Sequence, residues 1–313
     1  MKHWIEAARV RTLPLSVSGI LVGSFYALSK PTESVLTPTQ VFSWKIFGLL
    51  MLTTIGLQVL SNFANDYGDG IKGTDNEDRI GPKRALQSGV ISPTAMKRAI
   101  IITAFLTFLS AVLLIYTAFG LEYLYYSLFF LVLGIIAIAS AIRYTVGKSA
   151  YGYKGFGDIF VFIFFGLVST YGSYFMFSKV IDWYLLFPAV AIGFLSVGVL
   201  NLNNMRDEAS DKKAGKNTIV VKIGGAKAKQ YHYFLVISAM VLLLIFGVLQ
   251  HFAIDQYIYL IVFLPIITHL LRVNRTENPA DLDPELKRLA IATFMTSLLL
   301  SLCLIYFISD IIV

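Results

Sequence analysis

The sequence predicts an all-α fold, a polytopic membrane bundle of nine transmembrane helices. Three observations lead there. Of 313 residues, 57% are hydrophobic and 14% charged, where ordinary soluble proteins carry about 25% charge. Mean hydropathy is +0.71, so a soluble chain of this composition would hold much apolar side chain in water. Nine apolar runs approach or reach the roughly 20 residues needed to cross a hydrocarbon core about 30 Å thick. Finally, lysine and arginine alternate between dense and sparse in successive connections, as the two sides of a membrane impose.

In chain order the runs cover roughly residues 12–29, 46–65, 99–118, 123–142, 158–178, 183–202, 233–251, 256–272 and 289–309. Each is continuous, as from Ala99 to Leu114, whereas a β-barrel would show strands of about 10 alternating residues. No connection is long enough for a separate soluble domain, so residues 1–313 are expected to form a single membrane domain. One cysteine, Cys303 in the last run, excludes a disulfide scaffold and is expected to be a small apolar core residue.

Nine spans put alternate connections on opposite sides. The side of the N-terminus holds 23 of the 26 Lys and Arg residues, and the other holds only Lys30, Lys45 and Lys179. Acidic residues divide 14 to five, which gives one face +9 and the other −2. The positive-inside rule places the N-terminus and the long loops in the cytoplasm and the C-terminus outside. The net charge of +7 therefore reports orientation, and no nucleic-acid partner is expected.

Two polar clusters stand at the inner ends of even-numbered spans. The first contains Asn62, Asn65, Asp66, Asp69 and, further on, Asp75, Glu77 and Asp78. If the second span continues another turn, Asn62, Asp66 and Asp69 share one helix face. The second cluster contains Asn203, Asn204, Arg206, Asp207 and Asp211 at the end of the sixth span, with Asn203, Asp207 and Asp211 on one face. Asn62 and Asp66 match Asn203 and Asp207 at an offset of 141 residues, which suggests two four-helix pseudo-repeats around a central cavity, plus one extra helix. A solvated loop also collects Asp and Lys, but paired clusters at symmetric span ends favour a metal site. Carboxylate and amide oxygens suit Mg²⁺, which is commonly held by one or two carboxylates plus substrate phosphates. Basic residues follow each cluster, Arg79, Lys83 and Arg84 after the first and Lys212, Lys213 and Lys216 after the second, and could neutralise phosphate charge. The inner loop from Arg143 to Asp158 carries four glycines with Tyr144, Lys148, Tyr151 and Tyr153, a composition that lets backbone approach a ligand closely.

These motifs resemble a known family. Asn65-Asp66-Tyr67-Gly68-Asp69, Lys72-Gly73-Thr74-Asp75 and the segment Arg79 to Gly89 are similar to the first aspartate-rich motif of UbiA-type intramembrane prenyltransferases. Asn203 to Asp211 with Ala214 to Thr218 resembles the second motif. The Tyr144 to Asp158 loop and Arg11-Thr12-Leu13-Pro14 point to the branch that prenylates 1,4-dihydroxy-2-naphthoate in menaquinone biosynthesis. Gly73 stands where the broader family commonly has a third aspartate, which leaves the role of Asp75 open. Lys2 before an apolar run and Ala27-Leu28-Ser29 have signal-peptide character, but cleavage would remove the Arg11 segment, so the first span is expected to be retained.

The resemblance implies transfer of a polyprenyl chain from its diphosphate to the aromatic acceptor, with loss of the acceptor carboxylate as CO₂. Asp66, Asp69, Asp207 and Asp211 would bind Mg²⁺ as metal and catalytic residues. Asn62, Asn65, Asn203 and Asn204 would complete coordination or orient carboxylates. Arg84 and Lys148 would help hold diphosphate, Tyr153 would join the substrate-binding loop, and Arg11 or Arg143 would meet the acceptor carboxylate. The isoprenoid tail would extend sideways into the lipid bilayer. Alternatives are a relative using 4-hydroxybenzoate, haem or a chlorophyllide, a membrane transporter, and a phosphatidyl-type transferase.

Overall fold

The computed structural model describes residues 2–30, 42–74, 80–81 and 84–312, with side chains as far as residue 305. Asp75, Glu77, Asp78, Arg79 and Lys83 lie outside the described residues. Among those described, nine helices are long and apolar enough to cross a membrane, and no strand occurs. A short helix, α1 (Lys2–Ala8), and a 3₁₀ turn at Val10–Thr12 precede them. The spanning helices are α2 (Leu13–Ser29), α3 (Trp44–Ile71), α4 (Pro93–Phe119), α5 (Leu124–Arg143), α6 (Gly157–Ser178) and α7 (Leu186–Arg206). Two short helices, α8 (Glu208–Lys213) and α9 (Ile219–Ile223), lead to α10 (Gly225–Leu249), α11 (Ile254–Arg275) and α12 (Asp283–Ile312).

Local chemistry sets several ends. Ser92 caps α4 by accepting from the Ala95 N–H, with Pro93 in the first turn, where its missing donor costs nothing. Thr218 caps α9 on Val221 in the same way. Gly120 ends α4 at φ 58° and ψ −149°, a backbone region essentially confined to glycine.

The centre of the bundle is formed by α2 and α7, whose apolar windows are 78% and 67% buried, whereas α5 is 11% buried and faces outward. Small residues make α2 central. Gly23 lets it approach α6 so closely that a Cβ there would lie 2.1 Å from the Thr170 carbonyl oxygen. Within α6, Phe162–Val168 takes a π-helical turn, and α12 packs along α2. Three buried polar side chains tie the last helices together. His232 and His269 share a hydrogen bond of 2.9 Å between their Nε2 atoms, and His269 Nδ1 lies 2.7 Å from Glu285 Oε2. Cys303 is buried in this apolar core, as its sequence context predicts.

Candidate active site

The second span continues helically to Ile71, about a turn and a half beyond its apolar run, because nothing in Asn62 to Gly70 forces a break. Asn62, Asp66 and Asp69 are therefore carried on one buried face. At the sixth span the helix pauses at Asp207 (φ −98°, ψ 9°) and resumes as α8. The hydrogen bonds Asp207 N to Asn203 O (3.0 Å) and Asp211 N to Asp207 O (2.8 Å) keep the three side chains stacked.

The two clusters meet at one end of a cavity of about 840 Å³, lined by Asn65, Asp66, Asp69, Arg84, Asn203 and Lys216 among others. Arg206 also lines it. Asp207 and Asp211 sit behind that wall, each touching a cavity-lining cation. Arg206 grips Asp207 with two hydrogen bonds, from Nε at 2.8 Å and Nη2 at 2.6 Å, while Nη1 reaches Asp283 of α12 at 2.5 Å. Lys216 Nζ lies 3.4 Å from Asp211.

The four aspartates are not equivalent. Asp66 accepts backbone hydrogen bonds from Ala85 (3.2 Å) and Leu86 (3.3 Å), which fixes the turn that carries Arg84. Asp69 accepts from the Tyr153 hydroxyl at 2.8 Å and lies 3.9 Å from Arg84 Nη2. Asp211 is buried, yet its Oδ2 has no hydrogen-bond partner, and neither does Asn204 Oδ1. Burial pushes the Asp211 carboxyl up to about 6, against the pull of Lys216. Burial opposes charge on Lys216 too, but Asp69 and then Asp211 outweigh it and hold the ammonium above the ordinary lysine range.

The glycine-tyrosine loop closes over this end. Thr145 donates to the Ala64 carbonyl at 2.9 Å, and Lys72 Nζ donates to the Thr145 carbonyl at 2.6 Å while standing 3.9 Å from the Tyr153 ring centroid. Gly68 permits this approach, since a Cβ there would meet Thr145 Oγ1 at 2.5 Å. Burial raises the Tyr144 hydroxyl to about 12, so it stays protonated at neutral pH.

Below the polar chamber lies a largely apolar one of about 320 Å³. Gln58, Asn65, Tyr144, Val161, Phe165 and Leu200 line both chambers and so form the throat between them. The apolar chamber is walled by α5 through Leu133, Gly134, Ala137 and Ala141 and by α6 through Phe164, Val168 and Gly172. Although consecutive in the chain, α5 and α6 make little backbone contact. They are bridged at the outer end by Phe130 stacked on Phe175, with ring centroids 5.7 Å apart, and at the inner end by the Tyr151 hydroxyl on the Ser140 carbonyl at 2.9 Å.

The structure thus gathers Asn65, Asp66, Asp69, Arg84, Tyr153, Asn203, Asp207 and Asp211. Asn62 lines the apolar chamber, and its amide donates to the Ala8 carbonyl (2.8 Å) and to Thr12 (3.2 Å), tying α1 and its following turn to α3. Asn204 is buried but lines neither chamber. Arg11 lines the polar chamber, whereas Arg143 and Lys148 are exposed and line neither. Gln58, Phe165 and Lys287 also line the cavity, and nothing in their local sequence marks a cavity wall.

The donor chemistry fits Mg²⁺. The buried carboxylate oxygen of Asp211 without a partner is a hard ligand. Among the described residues no three acidic, histidine or cysteine side chains converge into a cage, which suits an ion that takes its remaining ligands from water and phosphate.

Comparison with known proteins agrees with this architecture. The profile described as the UbiA prenyltransferase family matches residues 31–298. The chain is 40% identical over 305 residues to 1,4-dihydroxy-2-naphthoate octaprenyltransferase of Haemophilus influenzae, covering 97% of this chain and 96% of that one. To the protein of the same name from Escherichia coli it is 40% identical over 297 residues, covering 95% and 92%. A solved UbiA homolog from Archaeoglobus fulgidus bound to GPP and Mg²⁺ superposes with a TM-score of 0.68 at 16% identity, over 98% of this chain and 99% of that one. The apo UbiA homolog of Aeropyrum pernix K1 superposes at 0.65 with 16% identity, over 97% and 99%. At those identities the solved structures establish the fold.

Proposed function

The chain belongs to the UbiA prenyltransferase family, and from that membership we propose that it transfers a polyprenyl chain from polyprenyl diphosphate to 1,4-dihydroxy-2-naphthoate. The observation that carries the acceptor is the near full-length identity of 40% to relatives named for that substrate. The transporter and phosphatidyl-transferase alternatives fall away with family membership. The two relatives at 40% identity are named for the naphthoate and not for 4-hydroxybenzoate, haem or chlorophyllide.

The paired chambers accommodate such a donor. Its diphosphate would lie among Asp69, Asp211, Arg84 and Lys216, its allylic carbon at the throat, and its isoprenoid tail in the apolar chamber, with an exit to lipid between α5 and α6. Mg²⁺ bound by Asp69 and Asp211, with Asp66 and Asp207 supporting them, would offset the charge that develops on the leaving diphosphate. Arg84 and Lys216 would bind its oxygens and keep them oriented. When the C–O bond breaks, pyrophosphate takes the electron pair and an allylic cation remains. The ring faces of Tyr144 and Phe165 suit a neighbouring cation, and the apolar chamber excludes the water that would quench it. The electron-rich ring attacks that carbon. The carboxylate then departs as CO₂ and its bonding pair returns to the ring, giving a prenylated 1,4-dihydroxynaphthalene, the reduced form of demethylmenaquinone. We also infer that the N-terminus and the site face the cytoplasm.

Purified protein given Mg²⁺, 1,4-dihydroxy-2-naphthoate and a polyprenyl diphosphate is expected to release pyrophosphate and CO₂ in equal amounts. Turnover of 4-hydroxybenzoate in place of the naphthoate would overturn the acceptor assignment.

A further inference from the structure

Most cations lining the polar chamber, Arg9 among them, already have a partner. Arg84, Arg206 and Lys216 each face an aspartate of the two clusters, at 3.9, 2.6 and 3.4 Å. Arg11 and Lys287 line the same cavity, and their side chains make no hydrogen bond or ion pair among the described residues. Arg11 belongs to the turn immediately before α2, and Lys287 is four residues into α12. Because α2 and α12 pack along one another, their cytoplasmic ends bring these two side chains to one wall. Leu15, Leu286 and Ala290 from the same two helices also line the cavity there. Lys287 follows Asp283 by four residues, so it stands one helical turn from the acid that braces Arg206.

An apolar shelf with two uncommitted cations at its edge matches an aromatic ring that bears a carboxylate. The ring would lie on Leu15, Leu286 and Ala290, and the carboxylate would meet the guanidinium fork of Arg11 and the ammonium of Lys287. Arg84 and Lys216 are taken by the diphosphate in the function proposed above, and Arg206 by Asp207 and Asp283, which leaves Arg11 and Lys287 for the carboxylate. We propose that Arg11 and Lys287 form the acceptor-carboxylate subsite, and that this pair makes the enzyme select a carboxylated aromatic acceptor. This inference rests on the function proposed above, and it assigns to Lys287 a role its sequence context does not signal.

The test uses full-length protein in lipid nanodiscs with Arg11→Gln, Lys287→Gln and Lys287→Arg. Binding of 1,4-dihydroxy-2-naphthoate and of 1,4-dihydroxynaphthalene is measured by calorimetry, and KM is measured for both substrates of the reaction. Each Gln variant is expected to lose about 10- to 100-fold in affinity and KM for the naphthoate, the usual worth of a charged hydrogen bond. Lys287→Arg should retain most of the affinity. The KM for polyprenyl diphosphate and the weak binding of the decarboxylated naphthalene should be unchanged in all three. Unaltered naphthoate affinity in both Gln variants would overturn the proposal. A rise confined to the diphosphate KM would do so as well, by assigning the pair to the donor. If the wild type instead takes only another carboxylated aromatic, the acceptor assignment fails, and the subsite is judged by the same variants with that acceptor.

Discussion

At the scale of single residues, the main distinction lies among four aspartates that sequence treats alike. Asp207 is neutralised in place by Arg206, a buried pair whose other arm holds Asp283. Asp211 keeps an oxygen without a hydrogen-bond partner. Removing Asp207 alone would leave the buried guanidinium only Asp283, which is 39% exposed, as its acid partner, and breaking a buried pair costs up to about 3–5 kcal/mol. Asp207→Ala is therefore expected to lower thermal stability along with turnover, and the double variant Arg206→Met/Asp207→Ala to recover stability without turnover. Asp211→Asn is expected to abolish turnover with little loss of melting temperature. Equal melting temperatures for Asp207→Ala and Asp211→Asn would refute this division.

Among elements, the pair α5 and α6 is unusual because neighbours in sequence are held apart in space. Aromatic contacts bridge one pair of ends and the Tyr151 hydrogen bond the other, and Gly134 and Ala137 of α5 line the apolar chamber together with Val168 and Gly172 of α6. The π-helical turn in α6 belongs to this arrangement, since it contains Phe164 and Phe165 of the chamber wall and throat. Ala137→Phe should narrow the gap. Turnover of an octaprenyl donor is expected to fall at least tenfold while that of a two-isoprene donor persists, measured side by side as product formed. An equal loss with both donors would mean that the tail does not pass here.

For the whole molecule, the prediction concerns orientation. From the charge asymmetry of +9 against −2, Lys148 is expected inside and Lys179 outside. The single native cysteine is buried, so introduced cysteines report cleanly. In intact cells a membrane-impermeant maleimide is expected to label Lys179→Cys and to spare Lys148→Cys until the membrane is permeabilised. The reverse pattern would invert the assigned topology.

Spans, charge sidedness and the helical spacing of Asn62, Asp66 and Asp69 were legible in the sequence because each depends on local composition or on helix period. The observed helices nonetheless run past the apolar runs at several ends, as α3 does to Ile71, since backbone hydrogen bonding continues where hydropathy stops. Lys148 and Arg143 looked like site residues from their loop, but the loop turns Tyr144, Thr145 and Tyr153 inward instead. What sequence alone determined was class, family resemblance and the chemistry present at two span ends, all properties of neighbours within a few turns. Only the tertiary structure decided which acids are already neutralised, where the two chambers join, and that Lys287 shares a wall with Arg11. Those outcomes depend on side chains some 80 to 280 residues apart being packed together, and no local pattern encodes such a distance.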